Sequence, residues 1–406
     1  MTLIECFADA HIDNISACLR LRPEKMVLIG KADEMRTPMK RYQKLLRQRG
    51  MNTQVSMCDI QGKDIGGIAS ALAPLIRSGE SCVLDLTGGD EMVIMAVGAV
   101  LAGLDDARRQ KIRVEKYDHN QNAVLDCGNE NRRLDCEQVT LTVAELVALH
   151  GGSLYPDAYQ PPKTYGTEAL EGLWRMSSAD SRAWNRAMMT LSEFESRSES
   201  KMQICLCLDE IRDGIRDFDR KEREVRGLLD RLHRSGVITD QSSARVLKYS
   251  YNSEMMRYCM AKAGNILEIK TLLEGRVAAE KGIPLFGDCR MSVSIDWDGV
   301  VDFVGNTPET RNEIDVVLMN GTTPLFVSCK NGNIGDEELY KLNTVAARFG
   351  GPYAKKMLVA TELDRKSPQA NRSFMQRAWD MDIFQVTDAA ELTKEEWQAA
   401  FCQAVK

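Results

Sequence analysis

Asn312-Glu313-Ile314-Asp315-Val316-Val317, followed thirteen residues past Asp315 by Ser328-Cys329-Lys330-Asn331-Gly332, is the stretch that decides how this chain is read. Asp315 opens an apolar run to Met319, Asn320-Gly321 is a hairpin-type turn signal, and Leu325 to Lys330 is a second β-rich run. Two antiparallel strands are expected. Side chains alternate along a strand, so Ser328 and Lys330 share one face while Val327 and Cys329 take the other. Lys330 then lies beside Ser328, near the start of the partner strand that carries Asp315. A hard divalent cation takes oxygen ligands, and Asp315 and the backbone carbonyl of Cys329 supply two. From that position Lys330 orients or helps deprotonate an attacking water, or stabilises charge developing on a phosphate. An Asp at a strand start and a Lys at a strand end are also ordinary solvated residues, so the pair takes its meaning from the rest of the chain.

The 406 residues give room for two or three domains, each with its own core. A composition of 44% apolar and 28% charged residues is that of a soluble globular protein rather than a disordered one. Neither a basic-plus-apolar N-terminal signal nor an apolar run near twenty residues occurs, so secretion and membrane spanning are not expected. The twelve cysteines are scattered, with Cys205-Leu206-Cys207 the closest pair and no C-x-x-C. That supports neither a zinc ribbon nor a redox motif and points to reduced thiols in the cytoplasm. His11, His119, His150 and His233 are too far apart in sequence for a recognisable zinc motif, and most of them read as structural or surface residues.

From Leu3 to about Gly151 strand-like and helical runs alternate. Leu3 to Phe7, Met26 to Gly30, Thr53 to Met57, Cys82 to Thr87 and Ile112 to Lys116 read as strands, with helices including Arg36 to Arg49, Ile65 to Arg77 and Glu91 to Leu104 between them. This predicts a parallel, doubly wound α/β domain, whose ligands sit at the carboxyl ends of the strands. Two loops fall there. They are Asp9-Ala10-His11-Ile12-Asp13-Asn14 and Thr87-Gly88-Gly89-Asp90-Glu91. In the second, the glycines let a ligand approach the backbone and the following helix start offers amides to phosphate, while Asp90 caps the helix. The same glycines also suit a plain tight turn. No G-x-G-x-x-G follows the first strand, which disfavours a nicotinamide cofactor.

The middle of the chain, from about Gly151 to Tyr258, begins Pro-rich at Tyr159-Gln160-Pro161-Pro162 and then becomes helical and highly charged. Leu228 to Leu232, Gly236-Val237-Ile238 and the strand-like Val246 to Tyr251 read as a winged-helix-like end, although a linker that transmits a signal is the favoured role. Further on, Glu338 to Gly350 reads as a helix and Lys356 to Ala360 as a strand. Between Lys330 and Arg377 nine Lys or Arg stand against five Asp or Glu, a local balance of +4 in a chain of net charge −6. A basic surface on an acidic protein suits a polyanion, with Lys341, Arg348, Lys355, Lys356 and Arg377 as nucleic-acid-binding candidates.

The C-terminal pattern resembles the PD-(D/E)xK nuclease core, in which a helix glutamate, a strand aspartate and an acid-x-lysine triplet surround a metal. Gly264-Asn265-Ile266-Leu267-Glu268 opens a helical run with apolar Leu267, Leu272, Leu273 and Val277, where that family places its glutamate. The resemblance thus implies catalytic roles for Glu268, Asp315, Ser328 and Lys330. Glu268, Asp315 and the Cys329 carbonyl would hold Mn²⁺ or Mg²⁺, with Glu313 behind them. Ser328 stands where the family most often has an acid, which puts the number of metal ions in doubt.

An open α/β domain with Leu84-Asp85-Leu86-Thr87-Gly88-Gly89, then a helical middle and the nuclease core, resembles the CRISPR-associated Rossmann-fold (CARF) ancillary nucleases of type III systems. The resemblance implies an α/β architecture of three parts. These are a Rossmann-like CARF domain over 1–150, a helical, winged-helix-like linker over 151–258, and a restriction-endonuclease-like domain over 259–406. It implies a cytoplasmic homodimer that binds a cyclic oligoadenylate, most often cyclic tetra-adenylate, and then cleaves DNA or RNA. Asp9, His11, Thr87, Gly88, Gly89 and Asp90 would occupy the ligand loops, with Lys31 as a phosphate contact. Two other readings stay open. One is a non-catalytic, ligand-controlled DNA-binding regulator, and the other is an unregulated repair or restriction-type nuclease.

Overall fold

Strands covered on both faces read as unbroken apolar runs, and the sheet of the N-terminal part is built around such runs. The computed structural model describes the chain except residues 79–80, 119–122, 129, 157–158, 163–166, 300–310, 333 and 364–366. It divides into two compact units. One holds Met1–Leu154, Asp296–Thr310 and Ala347–Tyr353, and the other holds Tyr155–Ile295, Arg311–Ala346 and Ala354–Lys406.

In the first unit the elements run β1 (Thr2–Cys6), α1 (Asp13–Leu21), β2 (Lys25–Gly30), α2 (Ala32–Gln48), β3 (Gln54–Asp59), α3 (Ile65–Arg77), β4 (Cys82–Asp85), α4 (Glu91–Ala102) and α5 (Asp106–Arg109). They continue with β5 (Ile112–Asp118), β6 (Ala123–Asp126), β7 (Arg132–Leu134), α6 (Val143–Leu149) and the short β8 (Ser153–Leu154). The seven-stranded sheet has the order β3-β2-β1-β4-β5-β6-β7, parallel as far as β5 and antiparallel beyond it. This is the expected Rossmann-like α/β fold. Ile4, Cys6, Ile29, Cys82 and Leu84 form its core against Ile68, Leu72 and Ile76 of α3 and Val93, Ala96 and Val97 of α4. Strand β4 stops at Asp85 rather than at Thr87, because the Asp85 Oδ1 accepts the Thr87 N–H at 2.6 Å and turns the chain.

The second unit contains α7 (Thr167–Ala179), α8 (Ser181–Glu195), β9 (Gln203–Cys207), α9 (Leu208–Ile211), α10 (Phe218–Arg234), β10 (Ile238–Asp240), β11 (Val246–Tyr251), α11 (Glu254–Cys259) and α12 (Asn265–Val277). Next come β12 (Ala279–Glu280), β13 (Ile283–Pro284), β14 (Asp288–Asp296), β15 (Arg311–Asn320), β16 (Thr323–Lys330) and α13 (Glu337–Gly350), the last shared with the first unit. The chain ends with β17 (Lys355–Ala360), α14 (Pro368–Asp380), β18 (Ile383–Val386) and α15 (Lys394–Ala404). One apolar core runs from Leu170 on α7 through Leu228 on α10 to Leu318 on β15 and Phe401 on α15. The middle of the chain therefore packs as one body with the C-terminal strands. Its β10-β11 hairpin pairs with β9 and stands next to α10.

The larger sheet of this unit runs β18-β17-β16-β15-β14. Strands β15 and β16 are antiparallel, with Asn320 opposite Thr323 and Val316 opposite Val327. The two-residue loop is thus Gly321-Thr322, one residue later than the Asn320-Gly321 signal suggests, and Gly321 supplies the positive φ of 60° that its first central position needs. Helix α12 is buried on almost every side, yet Val277, expected on its apolar face, is 70% exposed at its end. Leu318 approaches within 2.9 Å of where a Cβ on Gly275 would sit, so glycine lets the helix lie close on β15.

Candidate functional site

Beyond the Val316–Val327 pair the carboxylate of Asp315 takes over from the β15 main chain. Its Oδ2 accepts the Cys329 N–H at 2.6 Å and the Ser328 hydroxyl at 3.3 Å, and lies 3.5 Å from the Lys330 Nζ. All three contacts converge on Oδ2, which leaves Oδ1 for another ligand. The N–H and C=O of a strand residue point to the same edge. The Cys329 carbonyl therefore faces the β15 side, whereas the Lys330 carbonyl accepts the Thr361 N–H on the other. Cys329 itself turns its thiol to Thr271 on α12 at 3.5 Å.

Helix α12 brings Glu268 to this place. Its carboxyl is half-buried and pushed up to about 8, first by burial and then by Asp315 and Glu313, against the pull of Lys262 and Lys330. Burial also raises Asp315, while Lys330, the Cys329 N–H and Ser328 hold it down. Burial lowers Lys330, but Asp315 and Glu338 more than offset it and keep the ammonium above its ordinary range. Tyr258 stands close by, its phenol pushed up by burial and then by Glu268. Its hydroxyl is 2.5 Å from that of Ser292. The result is an acid-rich recess with one firm cation in it.

Glu338, at the start of α13, was not singled out in the sequence. It lies 3.0 Å from the Lys330 Nζ, and with Glu313, Asp315, Ser328, Lys330, Lys341 and Leu342 it lines a small open pocket of about 20 Å³. The signal available was an acid in a first helical turn, which is too common to single out. Of the proposed polyanion contacts only Lys341 reaches this pocket. Lys355 and Lys356 sit at the opposite end of the parallel β16–β17 pair, beside Leu325 and Phe326, where Lys356 donates to Asn343 and to the Met381 carbonyl. Arg377 is paired with Asp336, and Arg348 lies in the first unit over the rings of Trp297 and Phe349.

Among the described residues no three His, Cys, Asp or Glu side chains stand close enough to hold a metal ion. A cation here would need the Cys329 carbonyl and water beside the two carboxylates. The donor set still fits a hard divalent ion. Asp315 has an oxygen outside the three contacts made by Oδ2, a carbonyl faces the same edge, and Glu268, raised first by burial, lies close enough to feel the Asp315 charge.

In the first unit Thr87, Gly88, Gly89 and Asp90 follow β4 at the carboxyl edge of the sheet. A Cβ on Gly88 would stand 2.4 Å from that of Ala8, and one on Gly89, whose φ is 112°, 2.5 Å from that of Cys6. The glycines thus let this loop pack on the one after β1. Asp90 accepts the Met92 N–H at 2.8 Å and caps α4 as expected. Lys31 pairs with Glu34 at 3.0 Å, and Asp90 and Asp9 also raise its pKa, so these three charges share one neighbourhood. His11 turns away from them. Its Nδ1 is 2.9 Å from the Tyr42 hydroxyl and its ring centroid 5.2 Å from that of His150, and burial, His150, Arg41 and Arg348 lower its pKa to about 4. Spacing in sequence gave no hint of that histidine pair, and His119 lies outside the described residues.

Beneath the Thr87 loop is a row that the sequence reading missed. Glu5, Asp85 and Glu115 are in register on β1, β4 and β5, and all are buried. Arg20 and Arg113 pair with Glu115, while neither oxygen of Glu5 has a hydrogen-bond partner among the described residues.

Fold and sites together define a Rossmann-like unit accompanied by an α/β unit with a recessed carboxylate–lysine centre. No known family profile matches the sequence, and no curated protein matches it either. Solved structures do resemble it. The protein VC1899 from Vibrio cholerae shares the fold with a TM-score of 0.72 at 17% identity, over 100% of this chain and 97% of that one. Can2 from Sulfobacillus thermosulfidooxidans, solved in complex with cyclic tetra-adenylate, does so with a TM-score of 0.66 at 14% identity, over 100% and 97%. The chain thus shares its fold, end to end, with both of these structures. Among the described residues no helix is long and apolar enough to cross a membrane.

Proposed function

We propose that this chain is a metal-dependent endonuclease of the PD-(D/E)xK kind, controlled by a cyclic oligoadenylate and acting in type III CRISPR defence. The observation that carries the reading is the convergence of Asp315 and Lys330 on one pocket, with the Cys329 N–H locking the Asp315 carboxylate and Glu268 near enough to feel both charges. Glu268, Asp315 and the Cys329 carbonyl would hold Mn²⁺ or Mg²⁺, which when bound supplies Lewis acidity toward a phosphodiester oxygen. Lys330 keeps its proton at neutral pH, so it acts as a fixed positive charge that orients water and stabilises the charge building on phosphate, not as a base. Glu338 holds the lysine in that place, and Lys341 offers a further cation at the pocket. Ser328 donates to Asp315 and supplies no ligand charge of its own.

The input would be the carboxyl edge of the first sheet, where Asp9, Lys31 and the Thr87-Gly88-Gly89-Asp90 loop lie and the start of α4 would offer amides to a phosphate. The resemblance of the fold to Can2 favours cyclic tetra-adenylate as the activator, bound across the two-fold axis of a homodimer in the cytoplasm. Helix α4 supports the dimer, because Met92 and Met95 on its outer side are 41% and 62% exposed.

The test is cleavage of plasmid DNA, single-stranded DNA and RNA with Mn²⁺, with and without cyclic tetra-adenylate. Wild type should cleave at least one of them, faster with the cyclic nucleotide, and Lys330→Ala should lose activity by at least about a hundredfold. If the two proteins behave alike on every substrate, the catalytic assignment is wrong, and sequence-specific binding without cleavage would instead make the chain a DNA-binding regulator.

A further inference from the structure

Asn331 and Gly332 close the opening motif, and neither has a role in the reaction above. The Asn331 side chain has all its hydrogen-bonding groups engaged. Its Nδ2 donates to the Asn185 Oδ1 at 3.0 Å and to the Ala263 carbonyl at 3.2 Å, and its Oδ1 accepts the Thr361 hydroxyl at 2.8 Å. The Asn185 Nδ2 returns a bond to the Asn331 carbonyl at 3.0 Å. Four segments therefore meet at one amide. They are the end of β16 just past Lys330, the turn two residues before α12, the end of β17, and α8 from the middle of the chain. Neighbouring contacts repeat the pattern. Trp184 Nε1 donates to the Ala263 carbonyl at 3.1 Å, and the Ser181 hydroxyl donates to Glu362 at 2.7 Å. Gly332, with φ 109°, lets α8 come close, since its Cβ would stand 3.1 Å from the Asn185 Nδ2.

Two of the four segments that Asn331 ties together are those that present the site. Lys330 is the residue before it, and Glu268 is in the first turn of the helix that Ala263 leads into. We propose that Asn331 and Asn185 are positioning residues, an amide clamp through which α8 fixes the spacing between the Lys330 ammonium and the Glu268–Asp315 carboxylates. Neither residue touches the pocket, so the clamp acts through Lys330 and Glu268. The clamp rests on the proposed nuclease reading for its purpose, though not for its geometry. A misplacement of about 1 Å in such a site costs on the order of a hundredfold in rate, which is the leverage a tether here would hold.

Two measurements on the full-length protein test it. The first reads the clamp without turnover. Hydrogen exchange at pH 7 is followed by mass spectrometry in the peptides that carry Lys330 and Glu268 in wild type, Asn331→Leu, Asn185→Ala and the double variant. Asn331→Leu keeps the size, adds no charge beside Lys330 and loses every bond of the side-chain amide. Exchange of both peptides should quicken by about threefold or more in each variant, with no more in the double variant than in the stronger single one, while the peptide around Lys356 stays fixed. The second is single-turnover cleavage with Mn²⁺, where rate should fall by about tenfold to a hundredfold at unchanged substrate affinity. Asn185→Asp, which keeps the acceptor for Asn331, should recover part of both effects.

Unchanged exchange of both peptides in all variants overturns the clamp whether or not the protein cleaves. Quickened exchange in the variants of a protein that cleaves nothing leaves the clamp standing and removes the nuclease reading. Loss of cleavage that appears as weakened substrate binding, with the rate intact, also overturns the clamp. Asn185→Ala covers the case in which Asn331→Leu folds poorly.

Discussion

Replacing Asp85 by asparagine should make the protein more stable in alkali and leave it unchanged in acid. Asp85 is 3% exposed in the middle of the Glu5–Asp85–Glu115 row, and its carboxyl is pushed from the ordinary 3.8 up to about 7. Burial is the main cause, opposed by the Thr87 contacts and reinforced by Glu115. A carboxyl whose pKa rises on folding keeps its proton in the native state at pH values where the unfolded chain has lost it. Stability is then undiminished below about pH 4 and is drawn down as pH climbs through about 7. The span of roughly three pH units sets the cost above pH 7 at on the order of 4 kcal/mol, an upper figure because relaxation and water entry reduce it. Asparagine removes the charge and keeps an oxygen for the Thr87 N–H, so the bond that turns the chain at 2.6 Å survives. The assay is urea unfolding at pH 5, 6.5 and 8, read by hydrogen exchange of peptides covering β1 and β4, so that the first unit is followed by itself. The gain should grow from near zero at low pH to a few kcal/mol at pH 8. Glu5→Gln should move in the same direction, since burial and then Asp85 raise Glu5 well above the carboxylate range. An Asp85→Asn effect that is the same at pH 5 and pH 8, or a loss of stability at pH 8, refutes the reasoning.

Gly275→Ala places a Cβ 2.9 Å from Leu318, which is fully buried, and should cost roughly 1–3 kcal/mol in urea unfolding of the second unit. An unchanged midpoint would show that α12 can lift off β15 freely. Met95→Glu puts a charge on the exposed apolar side of α4 and should shift sedimentation from dimer to monomer, and a variant that remains dimeric assigns the interface elsewhere. Ser328→Asp sets a second carboxylate where the hydroxyl is 3.3 Å from Asp315. In chelator it should melt lower than wild type, by about 1 kcal/mol or more in stability, and Mn²⁺ should stabilise it more than wild type. Equal Mn²⁺ effects would argue against a cation at Asp315.

Strands β1, β2 and β4 could be read because each is an apolar run, a pattern that burial on both faces imposes, while β3 and β5, largely exposed or charged, followed from the alternation with helices around them. The antiparallel extension of β6 and β7 escaped because it is short and carries Arg132-Arg133 in place of an apolar face. Asp315, Ser328 and Lys330 could be matched because a two-residue hairpin fixes their register within a few residues. Glu338 could not. It reaches Lys330 only through the tertiary placement of α13, which no local pattern encodes. The basic segment after Lys330 shows the opposite limit. Its charge balance was legible, yet direction along a strand was not, and β17 carries Lys355 and Lys356 to the far end from Lys330. The Glu5–Asp85–Glu115 row arises from pairing between strands far apart in sequence, each of which looks apolar with one acid in it.

Ser328 is easier to understand from charge than from motif. Glu268, Glu313, Asp315 and Glu338 already bring four carboxylates toward a recess that holds Lys330, with Lys341 at its rim and Lys262 within reach. Burial and then Asp315 and Glu313 push Glu268 up to about 8, so it keeps a proton near neutral pH, which lessens the negative charge of the site. A fifth acid at position 328 would have no counter-charge and would push the neighbouring carboxyls higher still. A neutral hydroxyl instead donates to Asp315 and helps keep it ionised. On this account the proton on Glu268 occupies the place of a cation charge. Binding of a divalent ion should therefore expel that proton, making metal affinity rise with pH up to about 8 and level off above it. Calorimetry of Mn²⁺ binding in buffers of different ionisation enthalpy reads the proton directly. Release of close to one proton at pH 7 in wild type, and none in Glu268→Gln, is the outcome this charge balance requires.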